Sequence, residues 1–345
     1  MSGVYLLSGG LLGRWQWSRK LARGLEARGL ALLIGRLRRQ PLERACTRAR
    51  GIFQRLGPRS TAQRELLANL AVLHPGATTD QLQSLARRTW GWVGVTLAEL
   101  AHLRELSVSV GDRVELRVSP EVDAFLRMPG RAAVFVTAHV GPWLLGNLVA
   151  ARYGFPLTAT VPSSSNPGLD ALVRELLRGL PVEQVTMDDG YDPLAAELER
   201  GHKVTLAVDG WNDSGHAVAM LGERMRLDPT AALLAVRHDC PLIPLHTLRL
   251  PDGRYRVVAE RLLQPDGTGS SATEQSRSLT EAFAVEFEQW IREVPGQWLC
   301  LTPRWAEETI WGALTRATDI TRQDADRTMR LSEADLDAAL TDRGR

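Results

Sequence analysis

A short apolar segment that runs directly into a histidine and a Gly-Pro turn constrains the fold of this chain most. Residues 132–138 are apolar except for Thr137, which is typical of a strand buried on both faces. His139, Gly141 and Pro142 follow, and apolar residues then resume at helical spacing. This pattern predicts a strand, a turn and a helix. Because reacting groups in parallel sheets lie beyond the carboxyl ends of the strands, His139 is a candidate active-site base.

Strand and helix patterns alternate through the middle of the chain. Candidate strands cover residues 132–138, 156–161, 182–185, 203–208, 241–248 and 255–259. Helix patterns lie between them, so we expect an α/β fold with a mainly parallel central sheet flanked by helices. An alternating stretch at residues 108–118 precedes this core, and a helix at residues 273–294 follows it.

Three regions are predicted along the 345 residues. Residues 1–106 form a basic, amphipathic helical region, and residues 107–315 form the α/β core. Residues 316–345 are polar and free of aromatic residues, and we expect a mobile tail there. An apolar content of 44% provides a substantial core.

The chain has three widely spaced cysteines, Cys46, Cys240 and Cys300. They form no Cys-x-x-Cys pair, and no two histidines stand at metal-ligand spacing. We therefore expect neither a disulfide framework nor a metal site. This cysteine usage fits a reducing cytoplasm.

Basic residues are concentrated at the start of the chain. The first 60 residues contain thirteen Lys or Arg and two Glu, although the whole chain carries a net charge of only +2. They are interleaved with aliphatic residues and with Trp15 and Trp17. This composition is typical of a helix that lies on an anionic membrane surface. A solvated helical face without a ligand is the other interpretation.

Three further interpretations of this basic segment fit less well. A transmembrane helix needs about 20 apolar residues, and the run at residues 29–35 is far shorter. A signal peptide would carry basic residues before its apolar stretch, and none precedes residues 4–12. Nucleic-acid binding would need a recognisable motif besides charge, so we expect no nucleic-acid partner.

The residues around His139 resemble a known family signature. In bacterial lysophospholipid acyltransferases this block reads His, any residue, Gly, Asn, Trp and an acidic residue, and it contains the family's His-(any four)-Asp/Glu motif. His139, Gly141 and Trp143 match this block. This family contains the lipid A late acyltransferases and the phosphatidylinositol mannoside acyltransferases. Pro142 replaces the family's Asn, and Leu144 stands where the family has its acidic residue.

Further blocks follow in the family's order over most of the chain, and an ordered series is more specific than any single block. They are Asn69-Leu70 with Pro75, the helix pattern at residues 81–106, Asn166-Pro167 with Asp170, Arg178-Gly179, residues 198–209, Gly222 with Arg226, residues 231–235 and 241–244, Arg249, Asp252-Gly253 with Tyr255, and the block at residues 295–305 that reads Pro-x-Gln-Trp and then Arg-Trp. Trp211 and Thr302 depart from the family pattern, which often has an acidic residue and a His there.

The resemblance implies an O-acyltransferase. It implies transfer of a fatty acyl group from a thioester, acyl-CoA or acyl carrier protein, to a hydroxyl of a lipid or glycolipid, with no other cofactor. His139 is then the general base. Asp209 follows the strand pattern at residues 203–208, so it is the best substitute for the missing acid. The other interpretations are that His139 is an ordinary loop histidine and that Asp209 caps the following turn. Asp213 and Glu223 are weaker candidates.

Seven further residues are candidates for substrate binding: Gly141, Trp143, Asn166, Arg178, Trp211, Arg226 and Arg249. Amides near Gly141 would stabilise an oxyanion. The two tryptophans would line an acyl groove or simply pack in the core. Arg226 and Arg249 would contact phosphate or phosphopantetheine, or form structural ion pairs.

Two functions remain open at this point. The first is an active acyltransferase, peripheral on the cytoplasmic face of the inner membrane, in contact with anionic lipid. The second is a family member that has lost catalysis and binds lipid or acyl carrier protein as a scaffold. Leu144 favours the second function, whereas the presence of both His139 and Asp209 favours the first.

Overall fold

The computed structural model describes residues 16–161, 166–186, 190–210, 212–265 and 271–318. The helices are α1 Gln16–Arg38, α2 Leu42–Leu56, α3 Ala62–Leu73, α4 Thr79–Ala101, α5 Leu103–Arg113, α6 Pro120–Leu126, α7 Trp143–Ala151, α8 Pro167–Leu177, α9 Asp192–Glu199, α10 Thr230–Arg237, α11 Ala272–Glu293 and α12 Glu307–Thr318. The strands are β1 Val114–Val118, β2 Ala133–Thr137, β3 Leu157–Val161, β4 Glu183–Thr186, β5 Lys203–Ala207, β6 His216–Met220, β7 Glu223–Leu227, β8 Leu242–Pro244, β9 His246–Arg249 and β10 Tyr255–Ala259. Trp15, Trp211 and most of the predicted tail lie outside the described residues.

Five strands form the central sheet in the order β4-β3-β5-β2-β8, and all neighbours in it are parallel. Every residue of β2 is buried, which explains why all of them except Thr137 are apolar. Helices connect the strands, because parallel neighbours require crossover connections. The predicted α/β fold with a mainly parallel sheet is therefore confirmed.

The prediction of one strand over residues 241–248 is wrong. β8 belongs to the parallel sheet, whereas β9 belongs to a three-stranded sheet of order β1-β10-β9. The chain changes sheets at Leu245, whose N–H still donates to the carbonyl of Val136 at 2.9 Å. All of these residues are buried, so their hydrophobic pattern contains no signal of the change. Strand β10 pairs antiparallel with β9 rather than joining the parallel sheet.

Two further elements differ from the predictions. The predicted helix at residues 81–106 is two helices, α4 and α5, separated at His102 (φ −103°, ψ 14°). Only the second part of the alternating stretch at residues 108–118 is a strand, because α5 extends to Arg113. The sequence pattern also did not predict the hairpin of β6 and β7.

The N-terminal helices pack directly against the sheets. Trp90 of α4 shares one hydrophobic cluster with Val134 of β2, and Ala49 of α2 shares a second with Phe135. Helices α2 and α4 cross closely, since a Cβ added at Gly94 would lie 2.4 Å from the Ala49 carbonyl oxygen. Both hydrophobic clusters therefore join the N-terminal helices to the α/β region. Within the described residues, no helix combines the length and apolar character that spanning a membrane requires.

Candidate active site

His139 and Asp209 lie side by side at the carboxyl edge of the central sheet. Strands β2 and β5 are parallel neighbours, with Thr137 opposite Ala207. His139 stands two residues after Thr137, and Asp209 stands two residues after Ala207. The register of the sheet therefore brings His139 and Asp209 to the same level. The His139 Nδ1–H donates to Asp209 Oδ1 at 2.6 Å. A carboxylate bonded to one imidazole nitrogen fixes the ring and leaves Nε2 for proton transfer.

The Asp209 carboxylate is fully buried and has three partners. Besides His139, Trp298 donates its indole Nε1–H to Oδ2 at 3.0 Å, and Arg304 Nη2 lies 3.2 Å from the same oxygen. Burial by itself raises the pKa of Asp209, but the charges of Arg304 and His139 and the two hydrogen bonds lower it well below its usual range. The carboxylate is therefore ionised at neutral pH.

The His139 ring is accessible to a substrate. Its side chain is 32% exposed, whereas Asp209 behind it is 0% exposed. The Trp143 ring meets the imidazole edge-on, with ring centroids 4.8 Å apart. A partly exposed imidazole backed by a buried carboxylate is an arrangement that suits general base catalysis.

The turn that presents His139 is held by residues 295–305, which we call the closing segment. Leu299 donates its N–H to the His139 carbonyl at 2.8 Å, and Gly141 donates its N–H to the Gln297 carbonyl at 2.9 Å. Gly141 has a φ of +56°, and a Cβ added to it would lie 2.3 Å from the Thr247 carbonyl oxygen. Glycine is therefore required at this position for both conformation and space.

Leu144 stands in the sequence where the family motif has its acid. It lies in the first turn of α7, is half-buried and packs against the hydrophobic cluster that contains Leu148 and Phe135. The carboxylate next to the imidazole comes instead from Asp209, at the end of a neighbouring strand. α7 thus lacks the acidic residue of the family motif, but the Asp209 carboxylate is bonded to His139.

Comparison with known proteins identifies the family of this chain. The model of the family described as bacterial lipid A biosynthesis acyltransferase matches residues 29–307. The chain belongs to this family of acyltransferases. The predicted resemblance is confirmed, and membership implies an acyl donor and a lipid acceptor as substrates.

Several solved chains match this acyltransferase. One of them is the 1-acyl-sn-glycerophosphate (LPA) acyltransferase PlsC from Thermotoga maritima, at 13% identity and a TM-score of 0.32. The alignment covers 63% of this chain and 83% of that protein. No curated protein matches the sequence.

Three predicted substrate-binding residues of this acyltransferase serve other contacts. Asn166 is buried and caps α8, accepting from the Gly168 N–H at 3.1 Å. Arg178 follows the end of α8, at the amino edge of the sheet and opposite His139, where it pairs with Glu175 at 3.0 Å. Arg226 is exposed on β7 and donates to the Gly215 carbonyl at 3.0 Å. None of these contacts of the three side chains is with His139.

Arg249 is the centre of a buried ion cluster, which was one of its two interpretations. Its guanidinium contacts Glu99 and Glu43 at 2.6 Å each and the Tyr255 hydroxyl at 2.9 Å. Burial tends to lower the pKa of Arg249, but Glu99, together with Tyr255 and Cys46, more than offsets this effect, so the pKa is raised. The Gln297 side chain bonds both the N–H and the carbonyl of Arg249. Arg249 is thus linked to the active-site turn through its backbone.

Trp298 and Arg304 both contact Asp209, but the sequence alone predicts no role for either residue. Both lie in the block of the closing segment that resembles the family's Pro-x-Gln-Trp and Arg-Trp element. That block was the available signal, but the contacts join residues 89 and 95 positions apart. Among the described residues, no three His, Cys, Asp or Glu side chains form a group able to hold a metal ion.

The close approach at Gly141 gives a testable prediction. Gly141→Ala is expected to destabilise the protein by about 2–4 kcal/mol, since it adds a steric conflict to the strain of a positive φ. Gly130→Ala is the matched control. Gly130 also has a positive φ (+64°), but no atom lies within 4 Å of its added Cβ. Urea denaturation measures both variants, and equal losses of stability would contradict the steric argument.

Proposed function

We propose that this protein transfers a fatty acyl group from a thioester, carried on coenzyme A or acyl carrier protein, to a hydroxyl group of a lipid or glycolipid. The observation that carries the proposal is the 2.6 Å bond between His139 and the buried Asp209. A hydroxyl is a weak nucleophile at neutral pH, and acyl transfer to it requires a positioned base.

His139 acts directly as the base in the proposed reaction. Its Nε2 takes the proton from the acceptor hydroxyl while the hydroxyl oxygen attacks the thioester carbonyl carbon. The tetrahedral intermediate then collapses, the carbon–sulfur bond breaks, and the imidazolium returns the proton to the leaving thiolate. Asp209 stabilises the imidazolium while it carries the proton. No covalent acyl-enzyme forms.

The oxyanion of the intermediate needs hydrogen-bond donors. The Gly141 N–H is occupied by the Gln297 carbonyl, and Pro142 has no N–H. We therefore assign this role to the amides of Trp143 and Leu144, in the first turn of α7, where N–H groups have no partner within their own helix.

Leu144 supports a second candidate function, a scaffold that binds lipid or acyl carrier protein without turnover. The acyltransferase and the scaffold predict different results in one experiment. The purified protein is incubated with a bacterial lipid extract and either acyl-CoA or acyl carrier protein loaded with labelled fatty acid, and lipids are analysed by mass spectrometry. We expect a labelled lipid ester with at least one donor. Donor or lipid binding without any product would overturn the enzyme and favour the scaffold.

We further propose that the protein is peripheral on the cytoplasmic face of the inner membrane, bound through α1. Arg28, Leu32 and Arg36 are spaced four residues apart and exposed, and Leu32 has 63% of its surface exposed. An apolar side chain between two guanidinium groups suits the boundary between anionic headgroups and acyl chains. Thioester donors are cytoplasmic metabolites, and the three buried, free cysteines are consistent with this compartment.

The double variant Arg28→Gln/Arg36→Gln tests the membrane proposal. Each basic residue near an anionic surface contributes about 1 kcal/mol, so partitioning onto phosphatidylglycerol vesicles is expected to fall about 30-fold. Arg224→Gln/Arg237→Gln is the control, since it removes two exposed arginines from β7 and α10 with the same change in net charge. Sedimentation with vesicles measures both. An equal effect of the two pairs would contradict a specific role of α1.

A further inference from the structure

We infer that Arg304 and Trp298 are positioning residues, which hold Asp209 in the orientation that makes His139 a base. This inference rests on the proposed function. The acid on α7 that the family motif contains is absent here, and the carboxylate beside His139 follows β5 instead. In this inference the closing segment supports that carboxylate.

The two oxygens of Asp209 are divided between two tasks. Oδ1 accepts from His139, and Oδ2 accepts from the Trp298 indole and faces Arg304. A carboxylate bound at both oxygens cannot rotate about its last torsion without losing a charged partner. Trp298 and Arg304 thereby keep Oδ1 directed at the imidazole.

Arg304 also supplies the charge that a buried carboxylate needs. The Asp209 side chain is fully buried and that of Arg304 is only 4% exposed, so the pair is shielded from water. Among the described residues, the titratable or charged groups that face Asp209 include His139 after β2 and Arg304 and Cys300 in the closing segment. Arg304 is the permanent cation among them, whereas His139 changes charge during the proposed reaction.

Arg304 is itself held by a long-range contact with α3. Its backbone N–H donates to the Asn69 side-chain oxygen at 3.2 Å. The Asn69 amide donates in turn to the carbonyls of Cys300 and Thr302, both at 2.8 Å. Asn69 is fully buried, so these bonds fix the closing segment rather than a solvated loop. The same segment bonds the backbone of His139 through Leu299. It therefore fixes both members of the pair.

Arg304→Gln, Arg304→Lys and Trp298→Phe test the inference, with Arg292→Gln as the control for loss of a surface arginine. Arg292 pairs with Glu288 on the exposed face of α11. We expect Arg304→Gln to lower kcat about 10–100-fold with little change in KM, since it acts on the base and not on substrate binding. Arg304→Lys retains the charge and is expected to restore most of kcat. Trp298→Phe, which removes one hydrogen bond, lowers kcat about tenfold.

The pH profile distinguishes positioning from general damage. Without the Arg304 cation the pKa of Asp209 rises, because the buried carboxylate has lost an opposing charge. The deficit of Arg304→Gln is therefore largest at low pH and diminishes as the pH rises above the new pKa. A variant that is merely damaged would lose the same factor of kcat at every pH.

Proton NMR of the protein without substrate provides a readout that does not depend on turnover. The Nδ1 proton of a histidine bonded to a carboxylate resonates far downfield, and His139→Ala identifies the signal. We expect Arg304→Gln to shift or broaden it, whereas Arg304→Lys and Arg292→Gln leave it in place. A folded Arg304→Gln protein with an unchanged signal and pH profile would overturn the inference. A signal that depends on Arg304 in a protein without acyl transfer would support positioning and contradict the proposed reaction instead.

Discussion

His139→Ala is expected to lower kcat for acyl transfer by about 10³-fold, within the range that general base catalysis contributes. KM should change by less than about threefold, because the ring acts on the hydroxyl proton and contributes little to ground-state binding. Labelled acyl transfer from the preferred donor, followed over a range of acceptor concentrations, measures both constants. The folded state is checked by thermal denaturation.

The chain contains a close control for this substitution. His202 bonds Glu197 Oε2 through Nδ1 at 2.6 Å, and its side chain is 31% exposed, nearly the same as His139. It stands just before β5, at the amino edge of the sheet, opposite the proposed site. His202→Ala is therefore expected to retain kcat within about twofold. Equal losses in the two variants would show that the effect is structural.

Asp209→Asn measures the contribution of the Asp209 carboxylate separately from that of His139, the proposed base. The amide has nearly the same size but no charge, so it cannot stabilise the imidazolium. We expect a loss of kcat of about 10²–10³-fold. Activity retained in both Asp209→Asn and His139→Ala would place the chemistry elsewhere and exclude the proposed mechanism.

The position of the central pair could be predicted from sequence. His139 and Asp209 each follow an apolar segment, and parallel strands present their carboxyl ends at one edge. What periodicity could not show was that these strands are direct neighbours in register. It is this contact that places the two side chains at 2.6 Å.

Other features depend on long-range contacts that a local pattern does not contain. The change of sheet at Leu245 occurs inside a continuously buried run, and the break at His102 lies within an amphipathic helical pattern. The role of Arg304 depends on packing between α3, β5 and the closing segment. Arginine is equally common in surface ion pairs, so only the burial of Arg304 and its distance from Asp209 point to the positioning role that we infer.

Arg249→Leu is expected to cause the largest loss of stability, about 3–5 kcal/mol, because it leaves a buried carboxylate without its cation. Glu99 is 2% exposed and lies 2.6 Å from the Arg249 guanidinium. Burial raises the pKa of Glu99, and Arg249 opposes that shift. Urea denaturation at pH 7 measures the free energy of unfolding.

Arg256→Leu is the matched control for this substitution. Arg256 lies on the neighbouring strand β10 and also contacts two carboxylates, Glu115 at 3.0 Å and Glu293 at 3.2 Å. Those carboxylates are partly exposed to water, which screens the interaction. We therefore expect a loss of only about 0–1 kcal/mol. A loss as large as that of Arg249→Leu would mean that burial is not the cause.

The dependence on pH separates an unpaired charge from lost packing. In Arg249→Leu the folded protein binds a proton at Glu99 more tightly than the unfolded chain does, because its pKa is raised in the folded state. Stability then increases as the pH falls, and the deficit against the wild type is smaller at pH 5 than at pH 8. Adding Glu99→Gln removes the charge and should recover part of the loss at pH 8 but little at pH 5. A deficit that does not change with pH, with no recovery in the double variant, would assign the cost to packing around Tyr255 instead.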